Sequence, residues 1–372
     1  MRPLHVASLQ VRSFRNLAAV DLEPGERFNV VSGDNGQGKT NLLEAIYVAA
    51  TSKSFRTSKL GELVGFEAEL ASVRATLRDD GETRVQSVGL KPGARLVRID
   101  DKRPPSLAAY AVRTPVVVFH PGEMTLSMGS SGERRRLLDR TSLYMVPQSM
   151  ADLEAYTRAM KERQRALETR GPTASDLVEW ETLVVRHGLL VMAHRARAAE
   201  LVAAKAVEAF ARIAAPELVI EVGYAPSAPR DEQAFLDALA SRRTSDMRRG
   251  SAGVGPHRDD LSLVIDGHAV RGVASQGQHR AVTLALKSAE IEVVGQARGV
   301  RPILLLDDVS SELDRVRTAA LFSFLREQQG QVFLTTTRPE LIDTGEGGGG
   351  GPGPSRRDFV VRSGAVEPGF PR

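Results

Sequence analysis

The chain has 372 residues, 42% of them hydrophobic and 26% charged, a make-up that suits two cored domains or one large domain with an insertion. It contains no cysteine, which excludes disulfides, thiolate metal sites and cysteine nucleophiles and fits a cytoplasmic setting. Its formal net charge is only +4, so the distribution of charge says more than the sum, and no apolar run reaches the ~18 residues that a membrane span needs.

Residues 4 to 32 read as two strands around a turn. "LHVASLQVRSFRNL" alternates, "EPGER" turns, and "FNVVSG" is a buried strand entering a glycine-rich loop. A helix follows from about Lys39 to Ala50. From about Glu67 to Ile99 short alternating strands are separated by the turns "DDGE" and "KPGA", and "TPVVVF", Thr114 to Phe119, is another buried strand. Residues 131 to 213 are helical in pattern. Two long helices joined at "RGPTAS" make an antiparallel hairpin with arms of roughly 30 and 57 Å, at 1.5 Å per residue. Leu153, Tyr156 and Met160 mark the packed side of the first, and Leu183, Leu190, His194, Leu201, Val202 and Ala206 that of the second. His187 and His194 read as structural. Strand character returns at "ELVIEVGY", "LSLVIDGHAV", "PILLLDD" and "QVFLTTT". The segment "GEGGGGGPGPSRR", 345 to 357, is low-complexity and reads as a mobile loop before a closing hairpin, "DFVVRSGAVE".

Gly33-Asp34-Asn35-Gly36-Gln37-Gly38-Lys39-Thr40 matches G-x-x-x-x-G-K-[ST] between a strand and a helix, and Asn41 follows it. The glycines let successive N–H groups face a triphosphate, Lys39 supplies a point charge to it, and the Thr40 hydroxyl suits Mg²⁺. Such a loop needs an acid at a neighbouring strand end. "ILLLDD" provides Asp307 for the metal, with Asp308 beside it to orient or deprotonate the attacking water. Lys39 and Asp308 are the catalytic candidates. Ser275-Gln276-Gly277-Gln278 opens a long helix, and alone reads as an N-cap with a tight entry.

Together, the glycine loop, S-x-G-Q, "LLDD" and the following "SELD" resemble the ABC-type ATPase head of SMC-like proteins. The fold this implies is α/β: a P-loop parallel sheet plus an antiparallel β subdomain, with an inserted helical arm containing a short antiparallel hairpin. The expected segments are 1–125 and 246–372 for the head and 126–245 for the arm. The resemblance implies that Ser275, Gly277 and Gln278 of one copy meet ATP held by the loop of another. It also implies that Asp314 and Ser311 form a D-loop across that interface. Asp314 reads equally as a helix N-cap.

"LQVRSFRNL", "GDNGQGKTNLLEAIY", "KSFRTSKLGELV", "GERRRLLD", "GPHRDDL", "SQGQHRAVTLALK" and "PILLLDDVSSELD" are similar, in order and over essentially the whole chain, to the RecF family of bacterial recombination mediators. That resemblance implies an ATP-driven homodimer on double-stranded DNA or on junctions of single- and double-stranded DNA. Slow, DNA-stimulated hydrolysis would act as a switch in gap repair, helping to load RecA with RecO and RecR, away from any membrane. The other readings are the ATPase subunit of an ABC transporter and a structural SMC-like DNA clamp. Departures from the ABC pattern favour slow hydrolysis. Asp308 stands where Glu is usual, Thr335 to Thr337 stand in place of a switch histidine, and His120 or Glu123 stand in for a missing Q-loop glutamine. Lys53, Ser54 and Arg56 read either as contacts to nucleotide or DNA or as a solvated basic turn. Arg134, Arg135 and Arg136, at a helix start, read either as an exposed basic face or as a contact to an anionic partner. His257, Arg258, Asp259 and Asp260 read as an ion-paired support.

Overall fold

A computed structural model describes residues 1–213, 218–308, 323, 325–327, 330–342 and 356–369. Its first elements are β1 (Leu4–Phe14), β2 (Leu17–Leu22), β3 (Phe28–Ser32), α1 (Lys39–Thr51), β4 (Ala71–Asp79), β5 (Glu82–Lys91), β6 (Ala94–Ile99), α2 (Leu107–Ala111) and β7 (Val116–Phe119). Then come α3 (Thr125–Met128), α4 (Ser131–Met145), α5 (Gln148–Arg170), α6 (Leu177–Ile213), β8 (Ile220–Ala225), α7 (Glu232–Ala240) and α8 (Arg243–Arg249). The rest are β9 (Asp260–Ile265), β10 (His268–Ala269), α9 (Gln276–Arg298), β11 (Ile303–Leu306), β12 (Val332–Thr336), β13 (Arg356–Arg362) and β14 (Ala365–Pro368). They fall into two compact units, Met1–Glu123 with Val294–Arg372, and Met124–Val293.

The first unit holds a six-stranded sheet in the order β14-β13-β3-β12-β11-β7 and a five-stranded sheet in the order β2-β1-β4-β5-β6. In the six-stranded sheet, β7, β11 and β12 are buried at every residue, which is why they read as unbroken apolar runs and pair in parallel. The five-stranded sheet is antiparallel throughout, and β4 and β5 alternate buried and more exposed residues. Residues 4 to 32 form three strands, not two. The chain reverses between Phe14 and Leu17, and Arg15 takes φ +54°, so no glycine or proline announces the turn.

The second unit carries the expected hairpin, α5 of 23 residues and α6 of 37. Its apolar stripe differs in one place: Leu190 is exposed, while Val184, Val185 and Val191 take the inward positions. The unit runs on to Val293, past the expected boundary at 245/246. The reason is packing. Leu261, Leu263 and Ile265 of β9 and Val282 and Leu286 of α9 share one core with Ala198, Val202, Ala206 and Phe210 of α6. A three-stranded sheet, β10-β9-β8, belongs to this unit.

Buried charge ties the helices together. Arg163 of α5 has no exposed surface, and its guanidinium donates to Glu181 at 3.1 Å, Asp246 at 2.9 Å and the Leu239 carbonyl at 2.8 Å. Glu290 of α9 accepts from Arg140 at 2.9 Å and Lys287 at 2.6 Å. Burial alone would raise the Glu290 pKa, but these two cations prevail and bring it to about 2.

Arg163→Leu takes from the buried Asp246 the arginine it pairs with and leaves Glu181 with Arg243 alone, and should destabilise the unit by about 3–5 kcal/mol in denaturant unfolding. Because the folded pKa of Glu290 lies below the ordinary value, its stabilisation is present above about pH 4.5 and is lost as pH falls towards 2. The thermal midpoint of the wild type should fall through that window, and Glu290→Gln should flatten the slope.

Candidate functional site

In the parallel sheet β12 lies between β3 and β11, so the carboxyl ends of these three strands open side by side. β3 runs into the glycine loop, where Gly33, Gly36 and Gly38 take φ of +145°, +80° and +118°. A Cβ at Gly33 would lie 2.4 Å from the Val361 carbonyl oxygen, and one at Gly38 2.8 Å from Asn16 Oδ1. Asp34, Asn35 and Gly36 are exposed at the mouth of the loop. Lys39 opens α1 and folds back over the loop, its Nζ donating to the carbonyls of Gly33 at 2.7 Å and Asp34 at 2.9 Å. Burial pushes the Lys39 ammonium below the usual lysine range, against the opposing pull of Asp308, Asp307 and Asp34.

The Thr40 hydroxyl donates to Asp307, 2.9 Å from each carboxylate oxygen. Thr335 of β12 donates to Asp307 Oδ1 at 2.8 Å, and the Asp308 amide donates to Thr335 Oγ1 at 2.8 Å. Asp308 itself sits at φ +49°, a left-handed conformation uncommon outside glycine. Among the described residues no group of three or more His, Cys, Asp or Glu could hold a metal. One carboxylate beside one hydroxyl still fits Mg²⁺, which takes few protein oxygens and completes its shell with water and phosphate.

Several residues that hold this site gave no sequence signal. The Gln37 carbonyl accepts from Asn16 Nδ2 at 3.0 Å and the Gly364 amide at 2.9 Å, and Gln37 Oε1 accepts from the Ser363 amide at 2.6 Å. Ser363 and Gly364 form the two-residue turn between β13 and β14, with φ of +47° and +81°. Asn41 donates to Asn16 at 2.8 Å. One turn into α1, the fully buried Glu44 accepts two bonds from Arg15, each 2.9 Å, and one from Arg56 at 3.2 Å. Arg56 also donates to Asn41 at 2.8 Å, and Ser54 donates to Glu44, so the segment after α1 is tied back to the start of that helix. Lys53 is exposed. His120, at the end of β7, stacks on Phe55 with ring centroids 5.6 Å apart and lies 3.5 Å from Glu123.

In the other unit, Ser275 and Gln278 cap α9 reciprocally. The Ser275 amide donates to Gln278 Oε1 at 2.7 Å, and the Gln278 amide to Ser275 Oγ at 3.2 Å. Gly277 lies within that first turn. Ser311 and Asp314, like 345–355 of the glycine-rich segment, lie outside the described residues, while the segment's last two residues, Arg356 and Arg357, open β13 instead of belonging to a loop.

Arg134 is a correction to the expected basic contact. It is 4% exposed and grips Asp260 with bonds of 2.6 and 2.9 Å, which takes it out of reach of a phosphate backbone. Arg135 is turned onto the Asp259 carbonyl at 2.7 Å, and only Arg136 is exposed, paired with Glu133. Asp259 is buried and accepts from Arg195, from the Tyr224 hydroxyl and from the Ser227 amide, an ion-paired support beside β9. His257 lies 2.7 Å from the Tyr156 hydroxyl. His194 lies 3.0 Å from Asp152, and His187 has a buried Nδ1 without a hydrogen-bond partner among the described residues.

A mainly parallel sheet with a glycine loop after one strand, an acid after another, an antiparallel β subdomain and an inserted helical hairpin is the arrangement of an ABC-type ATPase head. The family model for the RecF/RecN/SMC N terminal domain matches residues 5–347. A protein of Anaeromyxobacter sp. (strain Fw109-5), "DNA replication and repair protein RecF", is 40% identical over 98% of this chain and 99% of its own. The solved recombination mediator protein RecF-ATPrS in the RecFOR pathway superposes with a TM-score of 0.86 at 28% identity, covering 98% of each chain. RecF-ATP of the same pathway gives 0.84 at 28% identity, over 99% of this chain and 100% of that one. The chain belongs to the RecF family of DNA replication and repair proteins.

Gly33→Ala should lower stability by roughly 1–3 kcal/mol, because the new methyl must displace the β13 backbone at a positive φ. A thermal melt checks this, and an unchanged midpoint would contradict the close approach.

Proposed function

We propose that this chain binds ATP with Mg²⁺ at the Gly33–Thr40 loop and that ATP joins two copies through the Ser275–Gln278 start of α9 in each, forming a slow switch on DNA. The observation that carries the reading is the pairing of the Thr40 hydroxyl with both oxygens of Asp307. An acid within hydrogen-bond reach of the P-loop threonine supports a metal site shared by the two. In this reading the backbone of Gly33 to Gly38 and the side chains of Lys39 and Asn41 surround the triphosphate. Lys39 leaves the carbonyls of Gly33 and Asp34 for the phosphates, an exchange of partners that its buried ammonium favours. Thr40 and Asp307 hold the metal, which supplies charge neutralisation on the phosphates. Asp308 orients the attacking water, and its short side chain and constrained backbone suit a slow turnover.

Ser275 Oγ accepts the Gln278 amide, which leaves its own proton to donate to a γ-phosphate on a second copy. The positive end of α9, with Gly277 and Gln278, faces the same charge. Ser311 and Asp314 complete the interface. Duplex or junction DNA is held through phosphates, with Arg136, Lys53 and Arg56 as candidate contacts, so binding falls steeply with salt. Relatives belonging to the RecFOR pathway support RecR and RecO as partners, with RecA loading as the outcome.

Sedimentation with ATP and Mg²⁺, with and without gapped DNA, tests the reading. The wild type should pass from monomer to dimer, Ser275→Arg should bind ATP and stay monomeric, and Lys39→Met should lose ATP. Asp308→Asn should still dimerise while hydrolysis drops by about 10²-fold or more. A wild type that stays monomeric at saturating ATP, on and off DNA, refutes it.

A further inference from the structure

The site contains a polar residue that none of the roles above uses. Thr335 is 1% exposed and follows Val332, Phe333 and Leu334 in a strand buried at every position. In such a strand an apolar side chain of the same shape would pack equally well, so the hydroxyl needs a partner to justify its burial. It has two. Because β12 separates β3 from β11, Thr335 stands opposite Val31 on one side and one step past the Leu306–Leu334 pair on the other, level with Asp307. Its single proton goes to Asp307 Oδ1 and its oxygen receives the Asp308 amide, both at 2.8 Å.

Thr40 reaches both oxygens of Asp307 from the loop side, and Thr335 reaches only Oδ1 from the strand side. The second contact removes the remaining rotation of the carboxylate. Through the Asp308 amide the same hydroxyl also pins a residue held at φ +49°, where a non-glycine backbone needs outside support. Only a group that donates and accepts at once can do both tasks, and serine is the only close substitute with that property in a side chain of this size. Thr336, the next residue, has a separate job: its hydroxyl accepts the Arg338 amide at 2.9 Å in the turn after the strand.

We propose that Thr335 is a positioning residue for the two acids: it orients the Asp307 carboxylate for a divalent cation and fixes Asp308 at the strand end, touching neither metal nor nucleotide. This rests on the reading of the loop as a Mg–ATP site.

The test compares the full-length wild type with Thr335→Val, Thr335→Ala and Thr335→Ser. Mn²⁺ serves as the probe and is titrated into the ATP-loaded protein by electron paramagnetic resonance. ATP affinity without metal, the Mg²⁺ dependence of hydrolysis and the thermal midpoint are measured alongside. Thr335→Val and Thr335→Ala should weaken Mn²⁺ binding by about 10–100-fold, as loss of a partner behind a metal ligand does. The Mg²⁺ needed for half-maximal hydrolysis should rise by a similar factor, metal-free ATP binding should stay unchanged, and Thr335→Ser should restore wild-type metal affinity. Wild-type Mn²⁺ affinity in the Val and Ala variants overturns the proposal while leaving the ATP site standing. So does a loss that Ser does not reverse, or one that merely tracks a lowered midpoint with metal-free ATP binding lost as well. A wild type that binds ATP without any response to Mn²⁺ or Mg²⁺ overturns the metal reading itself, and this proposal with it.

Discussion

The contact between Thr40 and Asp307 joins residues 267 positions apart, and most of the site's geometry follows from what makes it possible. It requires the ends of β3 and β11 to open on the same edge of the sheet, which parallel pairing through β12 secures. It also requires the glycine loop to turn sharply enough for α1 to start with its threonine facing that edge, which Gly36 and Gly38 permit at positive φ. Lys39 meanwhile lies inside the loop on two carbonyls, close enough to Asp307 and Asp308 for their charge to oppose the cost of burying it. Sheet order, loop conformation and charge balance are therefore one constraint seen from three sides.

In the helical unit charge serves a different end. Arg134, Arg163 and Arg195 are almost wholly buried, and each grips carboxylates on a separate element. Pairs of this kind add little net stability over a well-packed apolar core, because desolvation offsets most of the attraction. Removing one partner is costly, however, so they specify which helix faces which. The run Arg134-Arg135-Arg136 shows the consequence: three adjacent cations turn to a remote acid, a backbone carbonyl and a neighbouring glutamate at the surface respectively.

What the sequence disclosed divides along the same line. The glycine loop and its flanking strand and helix are contiguous, so spacing alone reveals them. Asp307 ends an apolar run that only a buried parallel strand explains. Ser275 and Gln278 stand three apart, and the capping box they form is the plain local meaning of that spacing. By contrast, Asn16, Thr335, Ser363 and Gly364 stand in segments that the sequence makes legible as strands and turns, but their contacts to the loop and its acid cross long stretches of chain and no spacing reveals them. The reversal at Arg15 was hidden for another reason: it uses an ordinary residue at positive φ where a glycine would have been conspicuous. Arg134 misled because charge in a sequence carries no direction.

The grip of Ser363 and Gly364 on Gln37 has a bearing on how the protein is made. A ribosome delivers the glycine loop early, yet the strand beside β3 and the turn that clasps the loop emerge more than three hundred residues later. Until then the cradle lacks one wall. Contacts of such long range form late and slowly, so the growing polypeptide passes most of its synthesis with its anion-binding turn unbraced, and the site is completed only when that distant hairpin docks.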